Sequence, residues 1–160
     1  MNQIFFRKIT RTIIVFSFLV GIHFQTNAQV EFKFNPPAAL FGLFQLGLEF
    51  PIGTDFGVEP ELIFAVSDGD IGVGLLLHGK YYFNPDFGSD KIYIGALTGI
   101  LGGGGDTFAA FGFEVGYKWM GKRNILFELG GGIGRATSEF GVLPYGRLMV
   151  GYRFPKKEKK

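Results

Sequence analysis

The stretch FGFEVGYKW, Phe111 to Trp119, alternates without a break. Phe111, Phe113, Val115, Tyr117 and Trp119 are large and apolar, and between them stand Gly112, Glu114, Gly116 and Lys118. A period of two predicts a β-strand with one face of each kind, where an amphipathic helix would need a period near 3.6. The fold then depends on which of the two faces points outward.

The same division recurs along the chain. Phe56, Val58, Leu62, Phe64 and Val66 oppose Gly57, Glu59, Glu61, Ile63 and Ala65. Ile71, Val73, Leu75, Leu77, Tyr81 and Phe83 oppose Gly72, Gly74, Leu76, His78, Lys80 and Tyr82. Leu148, Val150, Tyr152 and Phe154 oppose Arg147, Met149, Gly151 and Arg153. After Gln29 no apolar run reaches the eighteen or more residues of a spanning helix, and glycines interrupt any helical pattern.

In a water-soluble sandwich the large apolar face is the core and the other face meets solvent. Glycine is a poor choice for that solvent face, because it weakens a strand and packs nothing. In a narrow membrane barrel the assignment inverts: aliphatic and aromatic residues face lipid, and glycine and paired charges occupy the cramped interior. The 26 glycines and 20 phenylalanines favour the second arrangement. The expected fold is therefore all-β, an eight-stranded antiparallel transmembrane up-and-down β-barrel, with a secreted soluble β-domain as the rival.

Residues 1–28 read as a cleaved secretory signal peptide. Arg7, Lys8 and Arg11 form a basic start, Thr12 to Ile22 is apolar, and Thr26 and Ala28 stand three residues and one residue before a cut ahead of Gln29. The barrel is expected over 29–155 and a basic periplasmic tail over 156–160. Removing three basic residues turns 16 basic against 14 acidic into 13 against 14, a net charge of −1. The tail KKEKK carries +3, which leaves −4 on Gln29 to Pro155. This balance gives no argument for a nucleic-acid partner. With no cysteine there is neither a disulfide nor a thiolate metal site.

Breakers mark seven strands, at about 38–50, 55–66, 71–83, 91–101, 107–120, 124–135 and 142–154. PIGT, NPDFGS and MGKR lie beside Phe50, Phe56, Tyr81, Phe83, Tyr93, Tyr117, Trp119 and Phe127, which are expected to form one aromatic girdle on the periplasmic side. SDGD, GGGGDT and ATSEFG form the opposite, outer connections. A chain that starts in the periplasm needs one more ascending strand, and VEFKFN (Val30–Asn35) supplies it, with Phe32 and Phe34 outward and Glu31 and Lys33 inward.

The run Leu148, Val150, Tyr152 and Phe154 resembles the terminal-strand signal of outer-membrane β-barrels, which the barrel assembly machinery reads; here the tail PKKEKK follows it, where that signal usually ends the chain. NPPAALFGLFQLGLEFPIG, with GKYYF, FGFEVGYKW and GYRF, resembles a family of small eight-stranded bacterial outer-membrane barrels of unknown function. The resemblance implies a barrel in the outer membrane, contacting its lipid, and carries no catalytic motif.

Inward positions collect Glu49, Asp55, Glu59, Glu61, His78, Lys80, Glu114, Lys118, Glu128, Arg147 and Arg153. Charges in a narrow interior must be paired. The interior network is expected to comprise Glu59, His78, Lys80, Glu114, Lys118, Glu128, Arg147 and Arg153, with Glu59 opposite His78, Lys80 one diagonal step away and Glu31 near Arg153. A proton or ligand site around Glu59, His78 and Lys80 is the sharper reading. One histidine follows the signal segment, and Ser67, Ser89 and Ser138 all lie in connections, which argues against a serine–histidine lipid-modifying enzyme. No catalytic residue, metal or cofactor is assigned. A narrow channel is a further alternative, opposed by inward Leu76, Tyr82 and Met149. The expected protein is a monomer with a structural or binding role. The glycine cluster of LFELGGGIGRATSEF (Leu126–Phe140) lacks both GxxxxGK[ST] and GxGxxG spacing, so Gly130, Gly132 and Gly134 are expected to make room opposite Tyr145 and Arg147.

Overall fold

The computed structural model describes residues 29–67, 70–104, 106–137 and 141–155; the signal segment 1–28 and the tail 156–160 lie outside them. The strands are β1 (Glu31–Phe34), β2 (Leu43–Ile52), β3 (Phe56–Ser67), β4 (Asp70–Tyr82), β5 (Lys91–Gly103), β6 (Asp106–Met120), β7 (Ile125–Ala136) and β8 (Val142–Arg153). Each pairs antiparallel with its neighbours in sequence, and β1 pairs with β8, closing an eight-stranded barrel. Seven strands fall within a few residues of their expected bounds. The exception is β2, which starts at Leu43 rather than near residue 38.

Residues 36–42 leave the strand path for a physical reason. Pro36 and Pro37 have no N–H for a ladder and open a one-turn helix, α1 (Pro36–Ala39). The amides that remain are satisfied locally. Ala38 donates to the Asn35 side chain (3.2 Å), Ala39 to the Asn35 carbonyl (3.3 Å), and Leu40, Phe41 and Gly42 to Pro37, Ala38 and Ala39. Gly42 has φ +75°, and a Cβ there would lie 2.6 Å from the Val66 carbonyl oxygen, so glycine suits the corner. β1 consequently pairs with β8 only from Phe34↔Val150 to Glu31↔Arg153. α1 covers the seam beyond, packed against β2 and β8.

A second irregularity lies in β3. The β2–β3 ladder runs to Gly47↔Glu61 and resumes at Phe50↔Val58, skipping Pro60, which has no N–H to donate.

The alternation divides the wall as FGFEVGYKW implies. Glu114 and Lys118 are buried, while Phe111, Phe113, Val115 and Trp119 are exposed. On β4, His78, Lys80 and Tyr82 are buried while Leu75, Leu77 and Tyr81 are exposed. Two expectations need correction. Tyr93 is fully buried and belongs to the interior, not to the aromatic girdle, because it shares the inward parity of Leu97. Asp55 is exposed, since it sits in the turn between β2 and β3.

Both termini of the barrel and the turns at 53–55, 84–90 and 121–124 lie at one end, the terminal end. There the 84–90 connection is tied to the barrel. The Arg153 guanidinium donates to the Phe87 and Gly88 carbonyls, Ser89 N–H donates to the Thr54 carbonyl (2.8 Å), and Asp90 accepts from the Asp86 and Phe87 amides. Toward the opposite end Leu76, Ala110 and Ala136 are buried, and the Asn35 side-chain amide donates to the buried Gln45 side chain.

Candidate functional site: a buried charge network

Alternate residues of β1, β2, β3, β4, β6, β7 and β8 bring their charges into one lumen. From the terminal end, Glu31 accepts from Arg153 (2.7 Å) and Lys118 (2.8 Å). Glu49 accepts from Lys118 (2.9 Å), from the Tyr82 hydroxyl (2.7 Å) and from Lys33. Lys33 is the hub: its ammonium also reaches Glu59 (2.8 Å) and Glu128. Lys80 bridges the same two carboxylates, at 2.6 Å and 2.7 Å. Tyr93 donates to Glu128 (2.8 Å), and Arg147 pairs with Glu59, with Glu61 (3.2 Å) and with Glu128 (3.2 Å). The side chains of this network are essentially inaccessible to solvent.

Above this layer sits a different arrangement. His78 Nδ1 is 3.1 Å from Glu114 Oε1, and its Nε2 is 3.5 Å from Glu61 Oε2. Tyr145 donates to the same Glu61 oxygen (3.0 Å), and its ring lies 5.8 Å from the imidazole. Glu61 Oε1, Glu114 Oε2 and His78 Nε2 are buried with no hydrogen-bond partner.

The inward glycines make this density possible. A Cβ on Gly47 would strike the Glu59 carboxylate, and one on Gly57 would strike that of Glu49. A Cβ on Gly116 or Gly130 would lie 2.5 Å from the Tyr93 hydroxyl oxygen. Gly130 faces Arg147 and Gly132 faces Tyr145 across β7 and β8, in the register expected from sequence. The glycine cluster is strand wall.

All eight residues expected in the network, Glu59, His78, Lys80, Glu114, Lys118, Glu128, Arg147 and Arg153, are buried in the lumen. Glu59 does lie opposite His78, and Glu31 opposite Arg153. Glu59, His78 and Lys80 do not form a unit, however. Glu59 bonds to Lys33, Lys80 and Arg147, whereas His78 turns to Glu61 and Glu114. Sequence reasoning placed Lys33 inward without seeing its centrality, and it counted Tyr82 as bulk rather than as a donor. Tyr93 and Tyr145 were likewise missed as donors. The available signal was the parity of each residue beside a carboxylate on a neighbouring strand.

Glu49, Glu59 and Glu128 converge closely enough to hold a metal ion, but the Lys33 ammonium touches all three and fills that position. Ser89 donates to the Phe56 carbonyl (3.5 Å) at the terminal end, remote from the histidine between its two glutamates. Leu148, Val150 and Tyr152 lie on the outer face of β8, and Phe154 follows its last residue, the Tyr152 and Phe154 rings meeting edge to face at 5.3 Å. Comparison with protein-family models, with curated proteins and with solved structures gives no match.

Proposed function

We propose that the chain is an integral β-barrel of a bacterial outer membrane, with a side-chain-filled, charge-paired interior and a structural or binding role rather than an enzymatic one. The observation that carries this reading is the distribution of charge about the wall. The outward strand positions are occupied by residues such as Phe32, Leu48, Leu75, Ile94, Phe113, Leu129 and Leu148, all exposed. Arg135, near the end of β7, is the one charged side chain described at those positions. An apolar surface of this extent is a liability in water and a requirement in lipid. A strand of about 12 residues, rising about 3.3 Å per residue at a tilt of about 40°, covers roughly 30 Å, enough for the apolar band of a bilayer.

The seam at residues 36–42 supports the same reading. Irregular backbone facing lipid must satisfy its own polar groups. Two prolines without N–H groups and five amides bonded locally meet that demand.

In the proposed orientation the terminal end faces the periplasm and the short connections after β3, β5 and β7 face outward. Bilayer lipid is the direct partner of the wall, and the face Leu148–Val150–Tyr152–Phe154 is offered to the assembly machinery during insertion. The signal segment 1–28 would bring the chain to the periplasm. Cell fractionation followed by a gel of heated and unheated samples tests the proposal. The expected result is an outer-membrane protein whose unheated form migrates differently from the heated one. A protein that stays in the soluble fraction and shows no mobility shift would refute it.

A further inference from the structure

Among the described residues the lumen holds six carboxylates, Glu31, Glu49, Glu59, Glu61, Glu114 and Glu128, against five lysines and arginines, Lys33, Lys80, Lys118, Arg147 and Arg153. Asp90, also buried, belongs to the 84–90 connection and is satisfied there by two backbone amides. One negative charge is therefore unmatched in a space where unmatched charge is costly.

The structure localises that deficit. Glu31, Glu49, Glu59 and Glu128 have both oxygens taken by lysine, arginine or tyrosine. Glu61 and Glu114 each keep one oxygen without a partner, Oε1 and Oε2 respectively, and each directs its other oxygen at His78. Glu61 Oε2 also meets Arg147 (3.2 Å) and the Tyr145 hydroxyl (3.0 Å), whereas Glu114 has His78 as its one ion-pair partner among the described residues.

We infer that the barrel interior is a binding site for one proton, held on His78 as an imidazolium clamped between Glu61 and Glu114. Geometry selects the histidine over the glutamates. A proton on Glu61 Oε1 or Glu114 Oε2 would point at no acceptor, because neither atom has a partner. A proton on Nδ1 points at Glu114 Oε1, 3.1 Å away, and the charge it gives the ring lies 3.5 Å on the Nε2 side from Glu61 Oε2, an ion pair without a hydrogen bond. A neutral ring would leave Glu114, buried, without an ion-pair partner among the described residues. The charged groups around the ring come from every neighbouring wall: Glu59 and Glu61 from β3, Lys80 from β4 itself, Glu114 from β6, and Arg147 with Tyr145 from β8. β5 contributes Leu97 opposite the histidine and no charge. With the proton bound, six charges face six. Its loss returns the interior to imbalance, so folding and proton binding are linked. The inference concerns the lumen alone and holds whether or not the outer wall meets lipid.

Nitrogen-15 NMR of the full chain, labelled at histidine and refolded into detergent micelles, reads the ring directly; the His78→Gln variant assigns the signal. At neutral pH both ring nitrogens are expected to report N–H. In the Glu61→Gln/Glu114→Gln variant, where four carboxylates face five cations, His78 is expected to become neutral and show one bare nitrogen. A bare nitrogen in the folded parent overturns the inference, as does an imidazolium that persists in the double variant. Should that variant not fold, the parent measurement still decides. Infrared spectroscopy gives an independent reading: a carboxylic-acid C=O band in the folded parent, lost in Glu114→Gln or Glu61→Gln, would place the proton on a glutamate and refute the assignment to His78.

Discussion

Replacing Lys33 by methionine removes the cation on which three strands converge, at nearly constant volume. The parent ammonium touches Glu49, Glu59 and Glu128. Each keeps another cation, Lys118 for Glu49 and Lys80 for the other two, so no carboxylate is stripped bare. What changes is the balance: six carboxylates face four lysines and arginines. Methionine fills most of the space, so little of the effect comes from a cavity. Removing one member of a buried ion pair costs about 3–5 kcal/mol. With a urea slope of about 2 kcal/mol per molar, the unfolding midpoint should fall by about 2 M. The assay is urea titration of barrel refolded in detergent micelles, followed by the fluorescence of Trp119, the only tryptophan, and by the heated and unheated gel. Adding Glu49→Gln restores the balance while leaving an acceptor for Tyr82. The double variant should therefore be more stable than the sum of the single effects predicts, by about 1–3 kcal/mol. A Lys33→Met stability within about 0.5 kcal/mol of the parent, the range of ordinary surface changes, would refute the view that Lys33 organises the interior.

Gly130→Ala should cost about 1–3 kcal/mol by overpacking, since its Cβ would lie 2.5 Å from the Tyr93 hydroxyl oxygen and 3.2 Å from Arg147 Cγ. Tyr93→Phe should recover part of that loss in a double-mutant cycle, despite losing the bond to Glu128; strict additivity would count against the steric account. Leu75→Lys, at an exposed outward position in the middle of β4, should weaken membrane insertion by about 2–4 kcal/mol and reduce the heat-modifiable form. In a soluble protein the same change would be neutral or favourable, so retained solubility with an intact fold speaks against lipid contact. Arg153→Ala removes the bonds to Glu31 and to the Phe87 and Gly88 carbonyls; hydrogen exchange should then accelerate at residues 84–90 while the β5–β6 ladder stays protected. Uniform acceleration would mean that Arg153 supports the whole barrel rather than this connection.

Period-two alternation made most of the wall legible from sequence, because a pleated strand converts parity directly into side. Even the pairings Glu59↔His78 and Glu31↔Arg153 follow from counting through a turn and around the closure. Contacts through the lumen do not follow in that way. Lys33 on β1 meets Glu59 on β3 and Glu128 on β7, strands that are not its ladder partners. Such meetings depend on the tilt and stagger of the closed barrel, which no single segment encodes. Tyr93 was misplaced for a related reason: an aromatic near a strand end suits an interfacial girdle as well as an interior, and parity had to override that preference. The expected strand at 38–50 starts too early, at 38–42, because LFGLFQLGLEF continues backwards plausibly, while the paired prolines and the Asn35 cap favour a helical turn.

The short seam between β1 and β8 makes the barrel mechanically unequal around its circumference. Four cross-strand rungs join the two ends of the sheet, whereas the β5–β6 ladder runs from Lys91↔Lys118 to Gly103↔Asp106. The partners at this joint, Glu31 and Arg153, are also 122 residues apart in the chain, so closing it requires ordering the longest loop the fold contains. The seven hairpin ladders can zip as neighbours, and closure of the cylinder is left as a separate late event. Pulse-labelling during refolding should find the amides of Phe32 to Phe34 protected after those of β5 and β6. Stretching the barrel sideways should part it at this joint first, leaving a curved eight-stranded sheet.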